Sequence, residues 1–468
     1  MDAYAEFLAA KAHRADPVGF QPDPSRLPSD IKEFQSAITG WACRRGRAAL
    51  FEGTGLGKTL QELTWAQEVR HETRLPVLAL TPLAVAEQTV LEAQKFNIDG
   101  VAYAADQDEA VTPIVVTNYD RLHLFDFSKF GGVVLDESSI LKAADGKTRA
   151  AIMEACAGVP YLLPASATPA PNDWTELGQH SELLGVMSAK EMLSMFFVHD
   201  GANRANGDGD GWRLKRHAEQ DFWAWLASWA VMIRTPSDLG FDEPGYKLPP
   251  LNKHQVTVSS YSATPYELFA DEVSGLADRI AERRSSLPQR VGAATEIAMA
   301  GRDRPWVHWC NLNDEADAMV KAIPGAVQVA GSDPREEKKA KLLAFSRGEI
   351  QDLVTKPSIA GFGMNWQHCH SLTCVGLNDS FEQLYQLIRR FWRFGQQHPV
   401  DAYLIASERE GPVVANLNRK ERDFEIMADA MAFHMRDITR AQVRGGRVAV
   451  SDQRANLQME LPRWLTAA

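Results

Sequence analysis

The chain has 468 residues, 45% of them hydrophobic and 24% charged, with a formal net charge of −11. That length accommodates two or three domains with a core each, and the composition is that of an ordinary globular protein. The acidic balance excludes a histone-like protein that binds nucleic acid over its whole surface, but not a local basic cleft, because fields act within a Debye length.

There is no run of eighteen apolar residues, so no membrane span is expected. Residues 1–15 mix acids, bases and alanine and lack the apolar core of a secretion signal. Five scattered cysteines (Cys43, Cys156, Cys310, Cys369 and Cys374) fit a reducing cytoplasm, bacterial or phage-infected, better than a disulfide framework. Cys369, His370 and Cys374 do not have a convincing metal spacing.

In chain order, residues 1–12 suit one helix and residues 16–29 a Pro/Asp/Gly-rich loop. A helix is expected over 31–43, with Ile31, Phe34, Ile38 and Trp41 as its apolar positions. Gln35 lies on that helix. It is either a solvated or capping side chain or a carboxamide that reads an adenine edge by donating and accepting at once. The segment that follows favours the second.

Residues 48–51 read as a short strand and 60–70 as a helix, and between them runs Gly53-Thr54-Gly55-Leu56-Gly57-Lys58-Thr59. Strand, glycine loop, Lys-Thr and helix is the layout of a phosphate-binding loop. Gly55 and Gly57 let backbone N–H groups close on phosphate oxygens, and the helix start adds a favourable dipole. Lys58 suits the β/γ-phosphates of a nucleotide, and the Thr59 hydroxyl a magnesium ion. The first glycine of the general pattern is replaced by Glu52.

An apolar run at 77–80 ends in Thr81-Pro82, and 85–96 follows as a helix. A β-branched run at 114–116 leads to Thr117 and Asn118. Hydroxyls at strand ends are natural partners for a phosphate backbone, though each alone is a routine strand-to-loop transition. Residues 132–135 form a continuous apolar run that ends in Asp136-Glu137-Ser138-Ser139. A buried parallel strand reads this way, and its C-terminal tip is where an α/β sheet places ligands. Asp136 suits the magnesium ion and Glu137 the attacking water. A strand at 161–163 leads to Ser166-Ala167-Thr168-Pro169, small hydroxyl residues placed to couple that site to a bound polymer.

Residues 202–211 are a loop by composition and lack the terminal Glu of a calcium loop. Trp223, Trp225 and Trp229, in an expected helix over 222–233, read as core. Residues 236–250 read as a linker, and 265–285 as a helix that braces the two halves.

From 306 a second alternation begins, with strands at 306–310, 327–330, 352–355, 373–377 and 402–405 and helices at 314–323, 335–346 and 381–393. It predicts another parallel sheet. A helix at 426–435 is the last strong signal. Two stretches here carry chemistry: Thr355 to Trp366, which includes Gly363, and Gln386 to Gln396. In the second, Arg390 and Arg393 are placed three apart on one helix face, so both guanidiniums reach a γ-phosphate held by the first half.

Taken together, these motifs resemble the superfamily-two helicases, close to the Swi/Snf-type motors, which place an acid where Glu52 stands. In detail the chain is similar to phage- and prophage-encoded DEAD/DEAH-box-like helicases, over about residues 20–405. The resemblance implies two RecA-like parallel-sheet lobes with ATP and magnesium between them. The lobes would span 1–245 and 301–445, joined by a linker and brace at 246–300 and followed by a tail at 446–468. It implies adenine recognition by Gln35, nucleotide contacts from Thr54 to Thr59 and near Gly363 and Gln386, metal binding by Thr59 and Asp136, and catalysis by Glu137, Arg390 and Arg393. Thr81, Thr117, Ser166, Thr168 and Thr355 would lie toward the nucleic acid or couple to it. The implied activity is ATP-driven movement on DNA, duplex rather than single-stranded. An ATP-gated DNA-binding scaffold and an RNA helicase are the alternatives. Ser139, where the family usually has His, bears on how hydrolysis is coupled to movement.

Overall fold

The computed structural model describes residues 15–83, 85–142, 146–199, 211–259, 282–360 and 366–444. The expected helix at 1–12, the tail, Gly363, most of the 202–211 loop and most of the 265–285 brace lie outside them.

The first half begins with helix α1 (Glu33–Arg45), which stops at Gly46, φ +77°. Strand β1 (Ala49–Glu52), helix α2 (Lys58–Thr73), β2 (Val77–Thr81), α3 (Ala86–Lys95), β3 (Val101–Tyr103), β4 (Ile114–Asn118) and β5 (Gly132–Asp136) follow. Next come α4 (Lys147–Cys156), β6 (Tyr161–Ser166), α5 (Leu177–Leu183) and α6 (Ala189–Phe196). A small antiparallel pair, β7 (Phe197–His199) and β8 (Trp212–Leu214), leads to α7 (Glu219–Ala227) and β9 (Ala230–Ile233). Seven strands form one parallel sheet in the order β3-β4-β2-β5-β6-β1-β9. The β1, β2, β4, β5 and β9 strands are buried along their whole length, which is why they read as unbroken apolar runs.

Strand β10 (Leu251–Val258) opens the second half, followed by α8 (Leu287–Ala300), β11 (Trp306–Trp309), α9 (Asn313–Ala322), β12 (Val327–Val329), α10 (Arg335–Ser346) and β13 (Asp352–Thr355). Then come β14 (Ser371–Cys374), α11 (Phe381–Ile388), β15 (Val400–Ser407) and α12 (Gly411–Val443). The second sheet is also parallel, in the order β10-β15-β14-β11-β13-β12. The chain is therefore two doubly wound α/β lobes of the RecA type.

Several elements depart from expectation. The expected 222–233 helix ends at Ala227, and residues 230–233 form β9, paired residue for residue with the phosphate-loop strand from Ala49–Ala230 to Glu52–Ile233. The apolar run was real, but a central sheet claimed its second half. Trp223, Trp225 and Trp229 are core, at most 3% exposed. Strand β10 falls just past the 236–250 linker, inside the 246–300 stretch expected as linker and brace. Its face is largely exposed, so it lacks the apolar signature of its neighbours.

Helix α12 is far longer than the signal at 426–435. It leaves the second sheet after β15 and runs back along α7 and β9 of the first lobe. His434 stacks on Trp223 with centroids 5.2 Å apart, and Asp429 pairs with Arg234. Trp41 Nε1 donates to Gln442 Oε1 at 3.2 Å, and Arg444 Nη2 to the Gly240 carbonyl at 2.7 Å. Among the described residues no helix is long and apolar enough to cross a membrane.

Candidate active site

The glycine loop joins β1 to α2, with Gly55 at φ +91° and Gly57 at φ +82°. Both positions require glycine for a second reason, close approach. A Cβ on Gly57 would lie 2.2 Å from Gln35 Nε2, and one on Gly55 would lie 2.8 Å from the Phe394 backbone nitrogen. The loop is thus packed on one side against α1 and on the other against the second lobe.

Gln35 is 4% exposed. Its Nε2 donates to the Leu56 carbonyl at 2.8 Å, and its Oε1 accepts from Lys32 N–H at 2.9 Å. The carboxamide that the sequence offers to an adenine is engaged here with the backbone, and it fixes the shape of the loop. The half-buried Lys58 folds back so that Nζ donates to the Glu52 carbonyl at 2.9 Å.

Glu52 itself points inward, fully buried, and accepts from Gln61 Nε2 at 2.8 Å. Burial pushes its carboxyl up to about 7, against the pull of Lys58 and Gln61. Asp136, 7% exposed at the tip of β5, is also raised, by burial and then by the adjoining Glu137. Glu137 is raised by burial and drawn back by Lys58 and Arg390. Its backbone sits at φ +53°, a left-handed conformation that costs about 1–3 kcal/mol for a residue with a side chain. The turn is pinned from both sides: Tyr119 Oη donates to the Asp136 carbonyl at 2.7 Å, and Ser138 Oγ lies 3.0 Å from His180 Nε2. His180 is fully buried, and burial pushes it down to about 4, so it is neutral near pH 7.

The second lobe supplies the other wall. Arg390 and Arg393 do not share a helix face, because α11 ends at Ile388. The chain continues in tight turns, in which the Arg390 carbonyl accepts from Trp366 N–H and the Arg393 carbonyl from Gln396 N–H. Gln396 holds the turn by donating from Nε2 to the carbonyls of Gln367, Cys369 and Phe391. The turn brings Arg390 within electrostatic reach of Glu137 and Asp136 and sets the Arg393 side chain against Gly55 of the loop. Arg390 is pushed down to about 10 by burial and by Arg393, while Glu137 and Asp136 hold it up. The Arg393 Cβ lies 3.3 Å from where a Cβ on Gly55 would stand. Ion pairs Lys142–Glu382 and Glu87–Lys339 also join the lobes.

A cavity of about 440 Å³ lies between the lobes beside Glu137, with Tyr119, Ser139, Gln383 and Gln386 on its walls. A second, of about 300 Å³, touches Gly53, Thr54 and Leu56 of the loop. Its far side carries Tyr246 and Phe394, stacked with centroids 4.3 Å apart.

The five hydroxyl residues assigned toward nucleic acid are all buried: Thr117, Ser166 and Thr355 are 0% exposed, and Thr81 and Thr168 are 1% exposed. Thr81 Oγ1 donates to the Thr117 carbonyl at 3.3 Å, Thr355 Oγ1 to the Val329 carbonyl at 3.3 Å, and Ser166 Oγ accepts from Thr168 N–H at 3.1 Å. They sit at or just past strand ends, beneath the turns that follow, and direct contact with a polymer does not fit their burial.

Among the described residues several buried polar atoms have no hydrogen-bond partner: Glu52 Oε1, Glu62 Oε1 and Glu137 Oε2 near Lys58 and, in the second lobe, Arg393 Nε. Among the described residues no three His, Cys, Asp or Glu side chains form a metal site on their own. Unpaired carboxylate oxygens beside a lysine and a helix start fit a divalent cation that arrives with its phosphates, as magnesium commonly does. The residues missed at the sequence level are Glu62, His180 and Tyr246. Only the i, i+4 spacing of Lys58 and Glu62 signalled any of them.

No protein-family profile matches the chain, and no curated protein sequence matches it. Solved structures do. S. cerevisiae Dbp5 bound to RNA and ADP BeF3 is 11% identical, with a TM-score of 0.54, and covers 86% of this chain and 93% of its own. The Sulfolobus solfataricus SWI2/SNF2 ATPase core in complex with dsDNA is 18% identical, with a TM-score of 0.42, and covers 91% of this chain and 98% of its own.

Proposed function

We propose, from a chain with the two-lobed fold of the superfamily-two helicases, that this protein is an ATP hydrolase whose lobes close on ATP and reopen after hydrolysis, stepping along DNA. The observation that carries the reading is the convergence of Lys58, Asp136 and Glu137 from one lobe with Arg390 from the other.

The residues of the loop from Thr54 to Thr59 wrap the phosphates, with Lys58 exchanging its bond to the Glu52 carbonyl for phosphate oxygens. Thr59 and Asp136 hold the magnesium ion, which supplies charge neutralisation for the phosphates. Glu137 orients the attacking water and takes up its proton. Arg390 and Arg393 stabilise charge on the transferred phosphoryl group. Gln35 meets the adenine edge only by exchanging bonds to Lys32 and Leu56, so base recognition and loop geometry are coupled. Gln386, which lines the same cavity as Glu137, and the buried hydroxyls at strand ends relay the phosphate state to the polymer-binding surface. Duplex DNA is preferred as the polymer because the acid at position 52 resembles the Swi/Snf-type loop; a reducing cytoplasm is the compartment this reading implies.

The test is ATP hydrolysis by the full chain with duplex, single-stranded and forked DNA and with RNA, for wild type and Glu137→Gln. A DNA-stimulated rate that the substitution abolishes supports the motor. ATP-dependent DNA binding with no turnover would favour a gated scaffold instead, and stimulation by RNA alone would overturn the choice of polymer.

A further inference from the structure

The helix that follows the glycine loop carries an acid for which the proposed reaction has no use. Glu62 is one turn past Lys58 and three residues past Thr59, so all three share a face of α2. Helical side chains lean toward the N-terminus, which here is the phosphate-facing end. Glu62 is only 4% exposed, and its Oε1 has no hydrogen-bond partner among the described residues. Helix α2 packs on β5, whose tip bears Asp136, and Asp136 is the charged group that acts most strongly on Glu62.

An unpaired carboxylate buried beside other carboxylates is costly to keep. A structural acid would be paired, as Glu68 is with Arg26 at 2.8 Å further along the same helix. Among the described residues Glu62 Oε1 has no such partner. Magnesium at nucleotide sites keeps several of its waters, and outer carboxylates that accept from them tune affinity.

We propose that Glu62 is a positioning residue for the hydrated divalent cation of the nucleotide site. This rests on the nucleotide reading above. Glu62 binds no phosphate; it would accept hydrogen bonds from the waters of a cation held by Thr59 and Asp136.

The test uses the full chain with ADP and Mn²⁺ as the probe, read by electron paramagnetic resonance, with ADP affinity measured separately in EDTA. Glu62→Gln weakens Mn²⁺ binding about tenfold or more and leaves ADP affinity in EDTA within about twofold of wild type. Glu62→Asp, which keeps the charge, falls between the two. Thermal melting without metal confirms that both variants are folded. Mn²⁺ affinity unchanged in Glu62→Gln overturns the inference while the nucleotide reading stands, and so does an equal loss of ADP affinity in EDTA, which would mark a damaged loop. Wild type that binds no Mn²⁺–ADP overturns both.

Discussion

The Arg390 guanidinium of the second lobe joins Lys58 of the first in drawing the Glu137 carboxyl back from the rise that burial imposes. The effect is mutual, since Glu137 and Asp136 support the charge on Arg390. Two residues far apart in sequence therefore stabilise one another's ionised forms only while the lobes face each other.

Arg390→Ala should lower ATP turnover about a thousandfold, the usual scale for an arginine finger, with ADP affinity within a few fold of wild type. Single-turnover hydrolysis beside equilibrium ADP binding checks this. A parallel loss of both would reduce Arg390 to a structural residue.

The folded chain holds Glu52 at about 7, above the ordinary carboxylate range, because the group is fully buried. A raised carboxyl pKa means the native state binds the proton more tightly than the unfolded chain. The stabilisation is full below the unfolded pKa and is lost as pH rises through about 7. The melting temperature without nucleotide should thus fall between about pH 5 and pH 8, and Glu52→Gln should flatten that slope. An identical slope in the variant would assign the pH dependence to other groups.

Gly57→Ala places a methyl group on Gln35 Nε2 at a positive φ. Strain of about 1–3 kcal/mol is expected, together with loss of the bond to the Leu56 carbonyl. Nucleotide affinity should drop at least tenfold, more than in Gln35→Ala, which removes the clash partner. Fluorescent-ADP titration of both variants and the double variant measures the coupling.

Helix α12 ties the lobes through Trp223 and His434. Trp223→Ala should destabilise the first lobe by about 3–5 kcal/mol, as large core truncations do. His434→Ala should cost far less in stability yet increase hydrogen exchange in α7 and along residues 429–443. Equal protection in wild type and His434→Ala would mean that the stack does not hold the helix down.

The local codes were legible wherever one residue's neighbours in sequence are also its neighbours in space. The unbroken apolar runs at 77–80 and 132–135 gave β2 and β5, because strands covered on both faces cannot hide polar residues. The glycine loop declared itself by spacing, since Gly55 and Gly57 need a backbone conformation that other residues resist. Where sequence and space diverge, the pattern failed. Residues 230–233 read as the end of a helix because four apolar residues suit either state; pairing with β1 made them a strand. β10, mostly exposed, carried no apolar signal and exists because β15 offers it a full ladder of partners.

By itself, then, the chain determined two parallel-sheet lobes and the identity of the chemical groups at the strand tips, because periodicity and loop stereochemistry are properties of short segments. Only the tertiary structure decided that α11 stops at Ile388, short of the two arginines, that Gln35 grips its own loop, and that Glu62 is buried within electrostatic reach of Asp136. These depend on which surfaces meet, and burial and electrostatic pairing across a lobe interface leave no periodic mark on the sequence.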